Sequence, residues 1–354
     1  MTNFEKYQSL LGMGVDGLLL TSRVSRFYSA QYDIAEGVAI VTKAGCRYFT
    51  DSRYIESAEN NLKGYEVLMT DAEHTYSQRL NDAIADFGVK TLGYEESFLT
   101  VAEFEQWKKD LHAELVPMQK ELGAFRAAKE PWELERMIAA QQMTDDVFAE
   151  LLTIIHPGMT EKELAAELIY RFYRAGADGL SFDPIVVSGP NTSLPHGVPG
   201  DRVLQKGDFV TMDFGCKLGG YCSDMTRTVA LGSVTDEMKT VYETVLRAQL
   251  AGIAATRAGV EGRVIDGAAR KVIADAGYGA YFGHGYGHSL GIEIHEAPNC
   301  NPAGTTLMPV NAVCSAEPGI YLPGKFGVRI EDVVIFEENG CRVITKSPKE
   351  LIIL

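Results

Sequence analysis

Four acidic residues inside apolar, strand-like segments constrain this chain more than any other feature. Asp213 follows Val210-Thr211-Met212, and Asp224 lies just before another apolar stretch. Glu317 and Glu331 take similar positions much later in the chain. A charge in a sheet interior needs a partner, because burying it unpaired is costly. The fold must therefore supply something that compensates these carboxylates.

Hairpin spacing predicts that the first two carboxylates lie side by side. A two-residue turn at Leu218-Gly219 would set Asp213 directly opposite Asp224. Directly opposed residues of antiparallel strands share one face, with Cβ atoms about 5 Å apart. We therefore expect the two side chains to point in the same direction.

The same arithmetic pairs the later carboxylates. A three-residue turn at 323–325 would place Glu317 opposite Glu331. Like charges side by side repel, and two metal ions about 3.5–4 Å apart would remove that repulsion. The remaining ligand should be a histidine, and the glycine-flanked segment 287–296 is the densest candidate.

Each residue taken alone also has a structural interpretation. A buried aspartate in a strand is more often a hydrogen-bonded core residue than a ligand, and Glu317 could be a solvated turn residue. For His284 taken alone, a packed structural histidine is the favoured interpretation. Strand alternation places Asp332 away from Glu331 and Cys216 away from Asp213. The Gly-x-Ser-x-Gly match at 287–291 lacks a following helix and is interpreted as chance.

The coarse pattern predicts two domains with a boundary near residues 120–130. The first region reads as mixed strand and helix, with strands at 38–42 and 47–50 and a capping box at Thr100 and Glu103. The second region predicts helices over 131–155, from Thr160 to about Gly176, over 236–257 and over 262–277.

Charge and composition exclude several classes of function. The formal net charge is -15, which disfavours nucleic-acid binding. No apolar run approaches the roughly 20 residues of a membrane span, and the start of the chain lacks the pattern of a signal peptide. Six cysteines without a Cys-x-x-Cys pair are expected to be free thiols, which favours a cytoplasmic location.

Five motifs in order resemble the Xaa-Pro peptidases of the pita-bread metallopeptidase family, namely aminopeptidase P and Xaa-Pro dipeptidase (prolidase). They are MDFG (212–215), YCSDMTRT (221–228), GHSLGIEIHE (287–296), EPGIY (317–321) and RIED (329–332). LPHG at 194–197 and FTDSRY at 49–54 also resemble family segments, so the resemblance covers nearly the whole chain. The serine at 289 departs from the glycine that is common there.

The resemblance implies an α+β fold, with a smaller mixed α/β, creatinase-like N-terminal domain (1–125) and a pita-bread (creatinase/aminopeptidase-like) catalytic domain (126–354). It implies hydrolysis of Xaa-Pro bonds with two divalent metal ions, Mn(II) being favoured over Co(II) or Zn(II). A proline-containing peptide would be the substrate and a homodimer the assembly, without nucleic-acid or membrane partners.

The resemblance also implies the residues of the site. The implied metal ligands are Asp213, Asp224, His288, Glu317 and Glu331. The implied catalytic residues are Glu317, His196 and His295. The implied substrate-binding residues are His196, His295, His284 and Arg329.

Three alternatives carry distinguishing features. A methionine aminopeptidase would use the same five ligands but usually lacks a first domain of this kind. Creatinase shares the two-domain fold but lacks the metal set. A non-catalytic binding module would have lost ligands, and none is lost here. The choice between dipeptidase and aminopeptidase P stays open.

The segment 291–295 reads as a strand. Period-2 alternation then turns Glu293 and His295 towards the cleft, with Ile292 and Ile294 in the core. His295 could instead be a purely structural histidine.

Overall fold

The computed structural model describes residues 2–354. The chain divides into two compact units between Phe125 and Arg126. Both units contain helices and strands, which alternate along most of the first unit and form separate runs in the second. Among the described residues, no helix is both long and apolar enough to span a bilayer.

The first unit is built on a six-stranded mixed sheet in the order β4-β3-β2-β1-β5-β6. Its strands are β1 (Gly17–Leu20), β2 (Val38–Thr42), β3 (Cys46–Thr50), β4 (Glu66–Met69), β5 (Thr91–Tyr94) and β6 (Glu114–Pro117). Its helices are α1 (Asn3–Ser9), α2 (Arg23–Ala30), α3 (Ile55–Asn61), α4 (Tyr76–Phe87), α5 (Val101–Asp110) and α6 (Gln119–Ala127), the last of which contains the division between units. The predicted strands correspond to β2 and β3, and the predicted capping box opens α5.

Four long helices of the second unit begin where the sequence signals predict. They are α7 (Pro131–Leu151), α8 (Glu161–Ala175), α9 (Asp236–Ala255) and α10 (Gly262–Asp275). Pro131 lies in the first turn of α7. Thr160 and Glu163 form the predicted capping box of α8, and Gly176 ends that helix with φ of 94°.

The strands of the second unit form four small antiparallel sheets, in the orders β12-β9-β8, β11-β10-β7, β14-β13-β15-β18-β19 and β16-β17. The strands are β7 (Gly179–Leu180), β8 (Ile185–Ser188), β9 (Phe209–Phe214), β10 (Cys216–Leu218), β11 (Tyr221–Cys222), β12 (Met225–Ala230), β13 (Gly287–Ser289), β14 (Glu296–Cys300), β15 (Val313–Ala316), β16 (Gly319–Leu322), β17 (Phe326–Arg329), β18 (Asp332–Glu337) and β19 (Gly340–Val343).

Two apolar cores hold these sheets. One joins α7 and α8 to β9 through residues such as Phe148, Phe172 and Phe214. The other joins α9 and α10 to β16, β17 and β18, with Ile320 and Val328 fully buried. β9 and β12 are buried along their whole length, so a charge on either strand is enclosed by the fold.

The first predicted register is wrong by two residues. The turn lies at Gly219-Gly220 and Leu218 pairs with Tyr221, so Asp213 is opposite Thr226 and not Asp224. Both glycines have positive φ, at 58° and 82°, which a tight two-residue hairpin turn requires and Leu218 would resist. Because a shift of two preserves the face of every residue, Asp213 and Asp224 still point to the same side.

The second predicted register is confirmed by the pairs on both sides of the carboxylates. Leu322 pairs with Phe326 across the three-residue turn. Ala316 pairs with Asp332 in the same register beyond them. Glu317 and Glu331 therefore stand opposite each other where the ladder passes from one small sheet to the next.

A close crossing at Gly215 fixes the first hairpin and generates a prediction. A Cβ added there would lie 2.0 Å from the carbonyl oxygen of Ser223. Gly215→Ala must therefore displace backbone between the two segments that carry Asp213 and Asp224. We expect the free energy of unfolding to fall by roughly 1–3 kcal/mol, measured by chemical denaturation.

The matched control is Gly267→Ala in α10, where an added Cβ meets no atom within 4 Å. Helix propensity predicts unchanged stability or a gain of up to about 1 kcal/mol. Equal stability of the Gly215→Ala variant and the parent would contradict the steric argument.

Candidate metal centre

Five predicted ligands converge on one cavity of the second unit. Asp213 lies in β9, His288 in β13, and the others in the short connections next to β12, β16 and β18. All five line a cavity of about 580 Å³. The remaining predicted site residues, His196, His284, His295 and Arg329, also line it.

The ligand atoms are spaced as atoms around a cation would be. One atom from each of Asp224, His288 and Glu331 lies within 4.8 Å of the other two. The Nε2 atom of His288 is 3.5 Å from Asp224 Oδ2 and 3.3 Å from Glu317 Oε1. Ligand atoms at about 2.1 Å from a shared ion are themselves separated by roughly 3–4 Å.

Unpartnered oxygens provide the fit test for a metal. Asp213 Oδ1, Asp224 Oδ1 and Glu331 Oε1 are buried and have no hydrogen-bond partner among the described residues. The other oxygens of two of these groups are held: Glu331 Oε2 accepts from Thr226 at 2.7 Å, and Asp213 Oδ2 accepts from Arg329 at 2.6 Å. Buried polar atoms without partners are rare. The unpartnered oxygens of these three carboxylates are therefore available to a divalent cation.

Electrostatics point in the same direction. Burial, followed by repulsion from Glu331, Asp213 and Glu317, raises the pKa of Asp224 well above its usual range. Burial and the neighbouring carboxylates raise the pKa of Glu331 in the same way. Burial lowers the pKa of His288, which favours the neutral imidazole that binds metals. Without a cation, this cluster can reduce its repulsion only by holding protons.

Arg329, for which the resemblance implies a substrate-binding role, contacts the carboxylate of a predicted metal ligand. The buried guanidinium donates to Asp213 at 2.6 Å and to the Tyr321 hydroxyl at 2.8 Å. Its other donors go to Thr226 Oγ1 and the carbonyl oxygen of Pro195. Asp213, Tyr321 and Glu317 hold the pKa of Arg329 above its usual value, although burial opposes this.

His284 joins the same network as a largely enclosed ring. Its Nε2 lies 2.9 Å from the Tyr321 hydroxyl, and its Nδ1 lies 2.8 Å from the carbonyl oxygen of Gly285. Nδ1 must donate to that carbonyl, so Nε2 accepts from Tyr321; this tautomer is assigned from the partners. Burial lowers the pKa of His284, in agreement with a neutral ring. Both nitrogens are thus engaged inside the protein.

Tyr321 is a site residue that the sequence analysis missed. It links Arg329 to His284 and is buried beside the ligands. The second hairpin register contained a signal, because Gly327 is its direct partner. A Cβ at Gly327 would lie 2.8 Å from the Tyr321 ring, and one at Gly319 would lie 2.5 Å from its hydroxyl. The absence of a Cβ at both glycines leaves room for the Tyr321 ring inside the hairpin.

His196 and His295 face the cavity from exposed positions. The ring centroid of His295 lies 4.4 Å from that of His288, edge to face. Burial, and then the neighbouring His288, lower the pKa of His295. The predicted orientation of His295 towards the cleft is confirmed.

The predicted strand over 291–295 is wrong, and so is its alternation. These residues form bends, β14 begins only at Glu296, and Ile294 lines the cavity beside His295. The cause is the Glu296 carboxylate, which accepts the backbone N–H groups of Ile292 and Glu293 at 3.1 and 3.2 Å. Those donors are therefore not available to a neighbouring strand.

Two predicted exclusions are confirmed. Asp332 turns away from the ligands and accepts from Arg227 at 2.8 Å. Cys216 lies in the apolar core near α7, where its sulfur is 3.9 Å from Thr144 Oγ1. All six cysteines are free thiols.

Comparison with known proteins agrees with this geometry. The model of metallopeptidase family M24 matches residues 135–338, and that of the creatinase/prolidase N-terminal domain matches residues 7–128. A solved Xaa-Pro dipeptidase from Bacillus anthracis is 40% identical, with a TM-score of 0.95 over 99% of both chains. An X-Pro aminopeptidase from Thermotoga maritima is 34% identical, with a TM-score of 0.91 over 96% of this chain and 98% of its own. A Pyrococcus horikoshii Xaa-Pro dipeptidase is 36% identical over 75% of this chain and 76% of its own.

Paired hairpins that surround buried carboxylates and a histidine define a metallopeptidase of the pita-bread fold. The chain belongs to metallopeptidase family M24, with a creatinase/prolidase N-terminal domain. The predicted fold class and the predicted enzyme class are both confirmed.

The carboxylate cluster generates a prediction about pH. The pKa values of Asp224 and Glu331 are raised in the folded state above the unfolded value near 4. Between the unfolded and the folded pKa values, the folded chain binds more protons than the unfolded chain. The free energy of unfolding therefore falls as the pH rises through that interval. We expect the Tm of chelator-treated protein to fall as the pH rises from about 5 to 8.

In the Glu331→Gln variant the side chain at this position cannot ionise. The Tm of this variant in the presence of chelator should therefore change less with pH than the Tm of the parent. Added divalent metal should raise the Tm of the parent most at the upper end of the range. Parallel profiles of variant and parent would contradict the assignment.

Proposed function

We propose that this chain hydrolyses the bond between an N-terminal residue and a following proline, using two divalent metal ions. The observation that carries the proposal is the set of unpartnered carboxylate oxygens around His288. The Xaa-Pro specificity rests on the names of relatives that match nearly the whole chain, first unit included.

The proposed ligands are Asp213, Asp224, His288, Glu317 and Glu331. When bound, divalent ions supply a water of lowered pKa and positive charge beside the scissile carbonyl. Carboxylate and imidazole ligands suit Mn(II), Co(II) and Zn(II), and we favour Mn(II) from the family resemblance.

Glu317 is the proposed proton acceptor. Burial raises the pKa of its carboxyl group, which brings it closer to the operating pH of a general base. The Ser315 hydroxyl donates to Glu317 Oε1 at 3.0 Å and fixes its direction. Glu317 can therefore take a proton from the attacking water and hold it for the leaving group.

The leaving group sets a specific demand, because the proline nitrogen carries no N–H in the peptide and departs as a secondary amine. It must receive a proton as the bond breaks, and Glu317 is the proposed source of that proton.

His196 and His295 both line the cavity. We propose that they donate hydrogen bonds to the scissile carbonyl oxygen, which polarise the carbonyl group and stabilise the developing oxyanion.

Arg329, Tyr321 and His284 have a different proposed role. The continuous hydrogen-bond chain from Asp213 through Arg329 and Tyr321 to His284 fixes one oxygen of Asp213 and leaves the other free. We assign these three residues to holding a ligand, with the exposed face of His284 bordering the substrate.

The proposal also covers the cellular location, the assembly and the substrate length of the enzyme. Six free thiols support a reducing compartment, and we propose a cytoplasmic location. We further propose a homodimer, as the family resemblance implies. The relatives include both a dipeptidase and an aminopeptidase, so the proposal takes in dipeptides and longer peptides.

Metal content tests the ligand assignment. Protein reconstituted with excess Mn(II) and then desalted should hold about two ions per chain, measured by elemental analysis. Glu331→Ala should hold less, because it removes a carboxylate with an unpartnered oxygen. The control is Glu337→Ala, an exposed carboxylate near the far end of the strand that follows Glu331. Full activity in excess chelator, without bound metal, would refute the site.

Substrate choice tests the reaction. We expect hydrolysis of Ala-Pro or of Ala-Pro-Ala, and a far lower kcat/KM for Met-Ala-Ser. The ratio between the two proline peptides then separates dipeptidase from aminopeptidase behaviour. Comparable kcat/KM for Met-Ala-Ser would favour the methionine aminopeptidase alternative, and an inactive but metal-loaded protein would favour a binding module.

A further inference from the structure

A buried ion pair lies directly behind the loop that carries His295. Glu296 follows His295 in the chain, and its Oε2 accepts from Lys129 Nζ at 3.0 Å. The two side chains are 2% and 1% exposed. A pair this deeply buried costs desolvation energy that the pair alone seldom repays, so its other contacts indicate what it does.

The other carboxylate oxygen of Glu296 holds the 291–295 loop. Oε1 accepts the backbone N–H groups of Ile292 and Glu293 at 3.1 and 3.2 Å. Gly291 accommodates the carboxylate, since a Cβ there would lie 2.7 Å from Oε2. The loop is therefore wrapped around a side chain that follows it in sequence.

A second cation completes the cluster. Arg126 donates to Glu293 Oε2 at 2.7 Å and to Glu296 Oε1 at 3.2 Å. Two carboxylates thus meet two cations within a few ångströms. Lys129 and Arg126 keep the pKa of Glu296 below its usual value although burial acts in the opposite direction.

Lys129 connects the loop to a rigid part of the second unit. It directly precedes Glu130, the N-cap residue of the long helix α7. Its own backbone N–H donates to the carbonyl oxygen of Asn311 at 3.0 Å. Lys129 is therefore anchored at the start of α7, which packs in the core that it shares with α8 and β9.

The loop backbone is also held at Gly291, whose carbonyl oxygen accepts the backbone N–H of Cys222 at 2.7 Å. Its residues form bends without strand pairing, yet it presents Ile294 and His295 to the cavity. The ring centroid of His295 lies 4.4 Å from that of His288. A displacement of about 1 Å at a reacting group can cost roughly 10²-fold in rate.

We propose that Glu296 and Lys129 are positioning residues, which fix the 291–295 loop so that His295 stands at the reacting carbonyl. This inference rests on the proposed role of His295 in peptide hydrolysis. Neither residue touches the cavity; both act through the loop backbone.

A double-mutant cycle tests the proposal. Lys129→Met and Glu296→Gln are each made in the parent and in His295→Ala, and kcat, KM, metal content and Tm are measured on every protein. Each single variant should lose up to roughly 10²-fold in kcat, with metal content unchanged. In the His295→Ala background the same substitutions should cause little further loss. Equal losses in both backgrounds would overturn the proposal.

The matched control is Arg171→Met in α8, which breaks a half-buried ion pair with Glu167 and Glu150 outside the cavity. It should lower Tm while kcat per folded molecule stays near the parent value. If Lys129→Met and Glu296→Gln behave in the same way, with lower Tm and unchanged kcat, the pair is structural only and the proposal fails.

A measurement without turnover separates this inference from the proposed function. The ring Cε1–H signal of His295, assigned by its loss in His295→Ala, should shift or broaden in metal-free Lys129→Met and Glu296→Gln but not in Arg171→Met. An unmoved signal would overturn the positioning role. A moved signal in a protein that fails to cleave Xaa-Pro peptides would support the positioning role and refute the proposed reaction.

Discussion

Repulsion among four buried carboxylates is the constraint on which the second unit depends. Burial and mutual proximity raise the pKa values of Asp224, Glu317 and Glu331 in the folded chain. Such a cluster favours bound protons or cations, because burial and like charge both disfavour the ionised carboxylates. The unpartnered oxygens show that protein donors do not meet the whole need. A cation in this cavity would therefore relieve the electrostatic repulsion within the fold as well as serve the proposed chemistry.

Neighbouring donors bind some of the carboxylate oxygens around the cavity and leave others unpartnered. Thr226, Ser315 and Arg329 each hold one oxygen of a carboxylate. This fixes the direction of each side chain and leaves another oxygen unpartnered on Asp213 and Glu331. The division explains why the hydroxyl group of Thr226 is buried in β12, where a purely structural strand would favour an apolar residue.

Cations serve two separate purposes around the cavity. Arg329 lies behind the ligands and orients one of them. Lys129 and Arg126 lie behind the 291–295 loop, where they stabilise a carboxylate that folds the loop backbone. The second arrangement allows a histidine to project from irregular backbone at a defined place, without a strand to support it. Loops with this kind of internal anchor combine exposure with precision.

The sequence alone sufficed to predict the starts of the four long helices, the second hairpin and the carboxylates that line the cavity. Capping boxes, glycine turns and period-2 alternation are local signals, and local energies decide them. Glu317 and Glu331 were paired correctly because a three-residue turn and unbroken alternation leave one register. The first register failed by two, since both Leu218-Gly219 and Gly219-Gly220 offered a turn and only the requirement for two positive φ angles separates them.

Tertiary structure alone decided the course of 291–295 and the partners behind the site. Its apolar alternation predicts a strand, but the Glu296 carboxylate competes successfully for the backbone donors. That carboxylate can be charged and buried because Lys129 and Arg126, far away in sequence, lie beside it. Contacts of this kind leave no local pattern, because the energy of each group depends on residues from distant parts of the chain.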